Sequence, residues 1–281
     1  MNAAAPQPMF LAQGAAARFA LYHAPQQPCR GALLYLHPFA EEMNKARRMA
    51  ALQARRLAAA GWGVLQLDLH GCGDSAGDFA DASWDSWRAD AALGLQWLQE
   101  RLGDALPQAP GLWGLRLGAL LALDYACRPA GPAVSQLLLW QPVLQGSAHL
   151  TQFLRLLVAA DMLGEGAASG GTAALRASLA GGQALEIAGY TLAPALAQAL
   201  DGADAAALAP PCPATWLEVV AQEGRALPPA AQRVLAQWQA AGANVTAQAV
   251  PGPQFWATQE IAEAPALLDA SCRALHEACH A

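Results

Sequence analysis

Gly114-Leu115-Arg116-Leu117-Gly118 lies where a very short apolar run, Gly111 to Leu115, passes directly into a helical stretch reaching about Cys127. Glycines flanking a central residue in this way permit a sharp strand-to-helix turn that pushes the central side chain into a pocket. Enzymes present a nucleophilic Ser, Cys or Asp at such an apex. Here the apex is Arg116, whose guanidinium stays protonated and cannot attack a carbonyl. Its planar fork suits a carboxylate or phosphate instead, either a ligand's or an acid of the chain itself.

Two other loops follow apolar runs. His37-Pro38-Phe39-Ala40-Glu41-Glu42 ends the run Gly31 to His37. Pro38 has no N–H, so Phe39 is the residue whose backbone N–H would join that of Leu117 as an oxyanion-binding couple. Asp68-Leu69-His70-Gly71-Cys72-Gly73-Asp74-Ser75 ends the run Gly63 to Leu69. The candidate pocket residues are His37, Glu41, Glu42, Asp74, Ser75 and Arg116, joined from the far end of the chain by Gln254 and Trp256. Glu41 and Glu42 read equally as first-turn acids of a helix and as partners of Arg116. His37 reads as a hydrogen-bonded loop organiser or as a base. Ser75, sharing a loop with His70 and Cys72, reads as structural or as an unorthodox nucleophile. A buried unpaired guanidinium is costly. Arg116 is therefore expected to be paired, with Glu41 or Glu42 first, then Asp74, then Glu223.

The elements that must position these residues alternate in type. Phe10–Ala12 and Arg18–His23 read as a hairpin. Strands follow at Gly31–His37, Gly63–Leu69, Gly111–Leu115, Val134–Trp140, Thr215–Val220 and Asn244–Val250. Helices are expected at Ala46–Ala60, from the Ser83 N-cap to Leu102, after Leu115, at Pro228–Ala241 and at Ile261–Cys279. Between about Val143 and Leu208 only helical segments are read, with a Gly-rich break at Gly164–Gly171. Repeated strand–helix units imply an α/β fold: a mostly parallel sheet of about eight strands with helices on both faces. Residues 1–142 and 209–281 would form this core, and 143–208 a helical cap over the carboxyl edge of the sheet, where ligands bind in such folds.

The segments His37–Lys45, Gly71–Phe79 and Trp113–Gly118, with Glu186–Tyr190 and Gly252–Trp256, resemble the exosortase A system-associated hydrolase 2 family. That is a bacterial branch of the α/β-hydrolase superfamily, encoded near protein-sorting and exopolysaccharide genes. The resemblance implies an α/β-hydrolase fold and a place for each triad member. The nucleophile position holds Arg116. The acid position follows the strand ending at Val220, where Glu223 is the candidate. The base position follows the strand ending at Val250, where Gln254 stands, and an amide is no base at neutral pH. His276 and His280 lie at the far end of the last helix, beyond that site. An ordinary Ser-His-Asp mechanism is therefore not assigned. The implied partners are a small anionic or acyl ligand and proteins of the exosortase/exopolysaccharide system.

Composition bounds the alternatives. The chain has 281 residues, 55% hydrophobic and 14% charged, with a net charge of −6. That excludes a disordered chain, and the basic residues are too few and scattered for a nucleic-acid binder. No apolar run is long enough to span a membrane. Met1 to Gly14 lacks the features of an export signal, and the six cysteines lack metal-type spacing. A cytoplasmic location with reduced thiols, and neither metal nor cofactor, is expected. Three functions stay open: a degenerate hydrolase that binds a ligand, an active esterase, thioesterase or acyl transferase using a set such as His37, Glu41 and Ser75, and a purely structural partner.

Overall fold

Gly31–Leu36 is buried at every position, with no alternation, the pattern of a parallel strand covered on both faces. The computed structural model describes residues 5–12, 14–129, 131–163 and 170–278. Its order is β1 (Gln7–Leu11), β2 (Arg18–His23), β3 (Gly31–Leu36), α1 (Glu41–Ala59), β4 (Trp62–Leu67), α2 (Trp84–Leu102), β5 (Gly111–Leu115), α3 (Leu117–Cys127) and β6 (Leu137–Trp140). There follow α4 (Gly146–Leu163), α5 (Gly171–Ala180), β7 (Leu185–Ile187), β8 (Tyr190–Leu192), α6 (Pro194–Gly202), β9 (Ala214–Val220), α7 (Pro229–Ala240), β10 (Val245–Pro251) and α8 (Pro265–Ala278). Eight strands form one sheet in the order β1-β2-β4-β3-β5-β6-β9-β10. The pairs β1/β2 and β2/β4 are antiparallel and the rest parallel. The mostly parallel eight-stranded sheet expected from the alternation is thus observed.

Two apolar layers sandwich the sheet. On one face α1 and α8 pack through Met49, Leu57, Leu267 and Leu268 against Trp113 and Trp140. On the other, α2, α3 and α7 contribute Trp87, Leu95, Leu120, Val234 and Trp238.

Several boundaries move. The helix expected from Ala46 starts at Glu41, so both acids stand in its first turn, where the dipole favours them. The strand expected from Val134 begins at Leu137, and the last helix begins at Pro265 rather than Ile261. Val143–Leu208 is not helical throughout: β7 and β8 form a separate antiparallel hairpin. Its turn residues Ala188 and Gly189 have φ of 50° and 84°, and a two-residue hairpin with positive φ at both centres is the turn that matches strand twist. The expected Gly-rich break falls largely on residues 164–169, which with Cys279 and His280 lie outside the described residues. Among the described residues no helix is long and apolar enough to cross a membrane.

Candidate functional site

Arg116 is the residue between β5 and α3, with φ 55° and ψ −116°. A side chain at positive φ carries strain that the surroundings must enforce. They do so through both glycines. A Cβ on Gly118 would stand 2.2 Å from the Leu36 oxygen, and one on Gly114 would stand 2.5 Å from Ala119 Cα. The Arg116 backbone is fixed as well: its N–H donates to Trp140 O at 2.9 Å and its carbonyl accepts from Val143 N at 3.1 Å. The strained turn is therefore kept with an arginine at its apex.

The guanidinium is paired, as burial requires. Arg116 Nε donates to both Glu42 carboxylate oxygens at 3.3 and 3.4 Å, and Nη2 donates to Oε1 at 3.2 Å. The guanidinium carbon also lies 5.5 Å from the Trp256 ring centroid, within cation–π range. Burial raises the Glu42 pKa, and the Arg116 charge opposes that rise. The apex thus ties the first turn of α1 to the loop after β10.

The other expected partners of Arg116 stand elsewhere. Glu41 is exposed and lies 3.3 Å from the Tyr190 hydroxyl, joining α1 to the β7–β8 hairpin. Asp74 is exposed, and its backbone N–H donates to Asp68. Glu223 and Gln254 are both exposed, and the Arg116 guanidinium pairs with Glu42 instead of either. His37 has no nitrogen to spare: Nδ1 donates to Pro38 O at 2.8 Å and Nε2 accepts from Leu69 N at 3.2 Å. Desolvation further depresses its pKa, so it stays neutral and organises two loops rather than acting as a base. Ser75 is equally committed, donating to Asp68 O and accepting from Phe19 N at 2.9 Å. Cys72 is buried, and its thiol is pushed up to about 12 by desolvation, so it is no thiolate nucleophile. Phe39 and Leu117 do face one small void, of about 10 Å³, room for roughly one water. Phe39 is packed edge-on against Phe153 at 5.0 Å and Phe79 at 5.4 Å.

A roomier space than that void lies beside Arg116, between α4, α7 and the ends of β6 and β9. It measures about 490 Å³ and is lined by Gln141, His149, Asp204, Glu218 and Arg233 as well as Arg116. None of these five neighbours was reached from sequence. Glu218 lies inside β9, buried, and accepts from Trp216 Nε1 and Gln141 Nε2, both at 2.8 Å. Desolvation raises its pKa. Gln141, at φ 44°, also accepts from Val219 N at 2.7 Å. The one available signal was Glu218 itself, a lone acid in the apolar run Trp216 to Val220. No group of three or more metal-ligating side chains is found among the described residues.

Residues 27–169, just over half of the chain, match the family described as serine aminopeptidase, S33 (Hydrolase_4). The chain belongs to this family. The match spans the strand before the Phe39 loop, the elbow and the whole of α4. Comparison with curated proteins gives no match. Among solved structures, a soluble variant of monoglyceride lipase from Saccharomyces cerevisiae has a TM-score of 0.66 at 15% identity, covering 98% of this chain and 96% of that one. Est1E from Butyrivibrio proteoclasticus, with ferulic acid bound, has a TM-score of 0.60 at 15% identity and covers 96% of each chain. Thermogutta terrifontis esterase 2 reaches 0.59 at 14% identity, covering 99% of this chain and 96% of that one. At such identities the likeness is one of fold: this S33 family member has the α/β-hydrolase fold of esterases and lipases, with arginine at the apex of its elbow.

Proposed function

We propose that the chain is a degenerate α/β-hydrolase that binds a small anionic or acyl ligand in the former active-site pocket without cleaving it. The observation that carries this reading is the Arg116 apex: the turn that presents a nucleophile presents a guanidinium, already held by Glu42 and Trp256. No base stands at the end of β10, where Gln254 is exposed. The alternative set fares worse, because His37 and Ser75 are spent on structural hydrogen bonds. The motif resemblance extends the proposal to a role in the bacterial exosortase/exopolysaccharide system, with protein partners there and a cytoplasmic location.

The test is p-nitrophenyl ester turnover with fluorophosphonate labelling. Wild type, Arg116→Ala and Arg116→Ser are all expected to show no turnover above buffer and no label. Serine alone gains nothing, since the base position after β10 holds Gln254, an amide that takes no proton. Robust wild-type turnover that survives Arg116→Ala, with a label on another serine, overturns the proposal in favour of an unorthodox hydrolase.

A further inference from the structure

His149, on α4, forms part of the wall of the 490 Å³ cavity. It is 7% exposed, and neither ring nitrogen has a hydrogen-bond partner among the described residues. Its ring packs edge-on against Phe39, at 5.6 Å between ring centroids. A buried polar atom without a partner is costly, and native structures keep few of them without a reason. Desolvation and the Arg116 charge press its pKa down to about 3, so the ring is neutral under physiological conditions. A neutral imidazole offers one N–H donor and one lone-pair acceptor. The two ring nitrogens point apart, so one ligand group meets one of them: a hydroxyl can either accept from the N–H or donate to the lone pair, whereas a carboxylate or a fully ionised phosphate can only accept.

Charge around the cavity points the same way. Arg116 and Arg233 are offset in the wall by Asp204 and Glu218, and Glu42 already occupies Arg116. A carboxylate or phosphate meets no surplus positive charge. Val143 and Val234 supply apolar wall for a short chain. We propose that this cavity binds a neutral, hydroxyl-bearing ligand on a short apolar chain, with His149 as the residue that recognises the hydroxyl. The inference rests on the binding reading above, sets aside its anionic option and assigns the pocket an uncharged ligand.

The test is calorimetric titration with three probes that share one tail: 1,2-octanediol, octanoate and octyl phosphate. None has a carboxylic ester to cleave, so binding is read apart from hydrolysis. Wild type should bind the diol at least tenfold more tightly than either anion. His149→Phe, which keeps a ring against Phe39, should lose about tenfold for the diol and leave the anions unchanged. His149→Gln, which restores a donor and an acceptor, should recover most of the loss. Melting temperatures of both variants confirm that they are folded. Equal or tighter binding of an anion, no measurable diol binding, or a diol affinity that ignores His149→Phe overturns the inference. Tight anion binding lost in Arg116→Ala would sink this assignment while leaving the binding reading standing. Ester turnover in the separate assay would sink the reading itself.

Discussion

At the scale of single residues, the site is organised by what Arg116 must do to be tolerated. Its side chain is 17% exposed and that of Glu42 22%, so each charge depends on the other for part of its solvation. Removing either partner leaves the other poorly compensated. Glu42→Ala and Arg116→Ala should each lower stability by about 1–2 kcal/mol. The double variant should fall short of their sum by about 1 kcal/mol in a denaturant-monitored cycle. Full additivity would mean that the pair contributes nothing. Glu218 yields a pH prediction. Burial holds its pKa above the ordinary carboxyl value, opposed by the Trp216 and Gln141 hydrogen bonds and by Arg116. A carboxyl with a raised folded pKa destabilises the fold once ionised. The stability of wild type minus that of Glu218→Gln should therefore fall as pH rises from the ordinary carboxyl range through the raised value. Urea denaturation across that range reads the sign, and a rising difference would contradict it. Arg116 was legible in sequence because flanking glycines mark an elbow. Glu42 was legible only as one of two adjacent acids: helical rotation decides which faces the apex, and that depends on where α1 starts. Glu218 and His149 were hidden, because a strand interior and a helix face announce no chemistry until the tertiary fold brings them to one cavity.

At the scale of elements, the elbow is a strained turn held by packing on both sides. Its conformation suits glycine better than arginine or alanine. Arg116→Gly and Arg116→Ala both lose the Glu42 pair, but only glycine relieves the φ of 55°. Arg116→Gly should therefore be the more stable of the two, by about 1 kcal/mol after allowing for its greater unfolded-state entropy. If alanine is equal or better, the turn relaxes and stores no strain. Gly118→Ala should cost several times more than a surface substitution, since its Cβ would meet the backbone oxygens of Leu36 and His37 at 2.2 and 2.5 Å. The parallel strands were readable from sequence because burial on both faces makes them short apolar runs. The β7–β8 hairpin was not, because strands of three residues each are too short to show a period. Its Ala188-Gly189 turn was the available clue.

Across the whole molecule, the segment between β6 and β9 can be asked whether it is a lid that folds apart or a part of the core. Leu150, Phe153 and Leu154 of α4, Leu175 and Leu179 of α5, and Leu196 of α6 belong to the same buried cluster as Leu34, Trp87 and Leu120 of the sheet and its helices. Phe153 meets Phe39, which also touches Trp87 at 6.2 Å between centroids. Apolar contact is therefore continuous from this segment into the central sheet, while the hairpin adds the exposed Tyr190–Glu41 contact. A segment joined through a shared core should not melt separately. Thermal unfolding followed by far-ultraviolet circular dichroism and by tryptophan fluorescence should superpose as one transition. Phe153→Ala, which empties a largely buried aromatic site, should cost about 3 kcal/mol and move both signals together. By contrast, Tyr190→Phe removes only exposed hydrogen bonds, to Glu41 and from Asn44, and should leave the midpoint nearly unchanged. Two separate transitions, or a Phe153→Ala effect confined to the helical signal, would mean that the segment is an independently folding lid. Access to the cavity would then be set by opening of the lid, not by local movement of α4 over a fixed core.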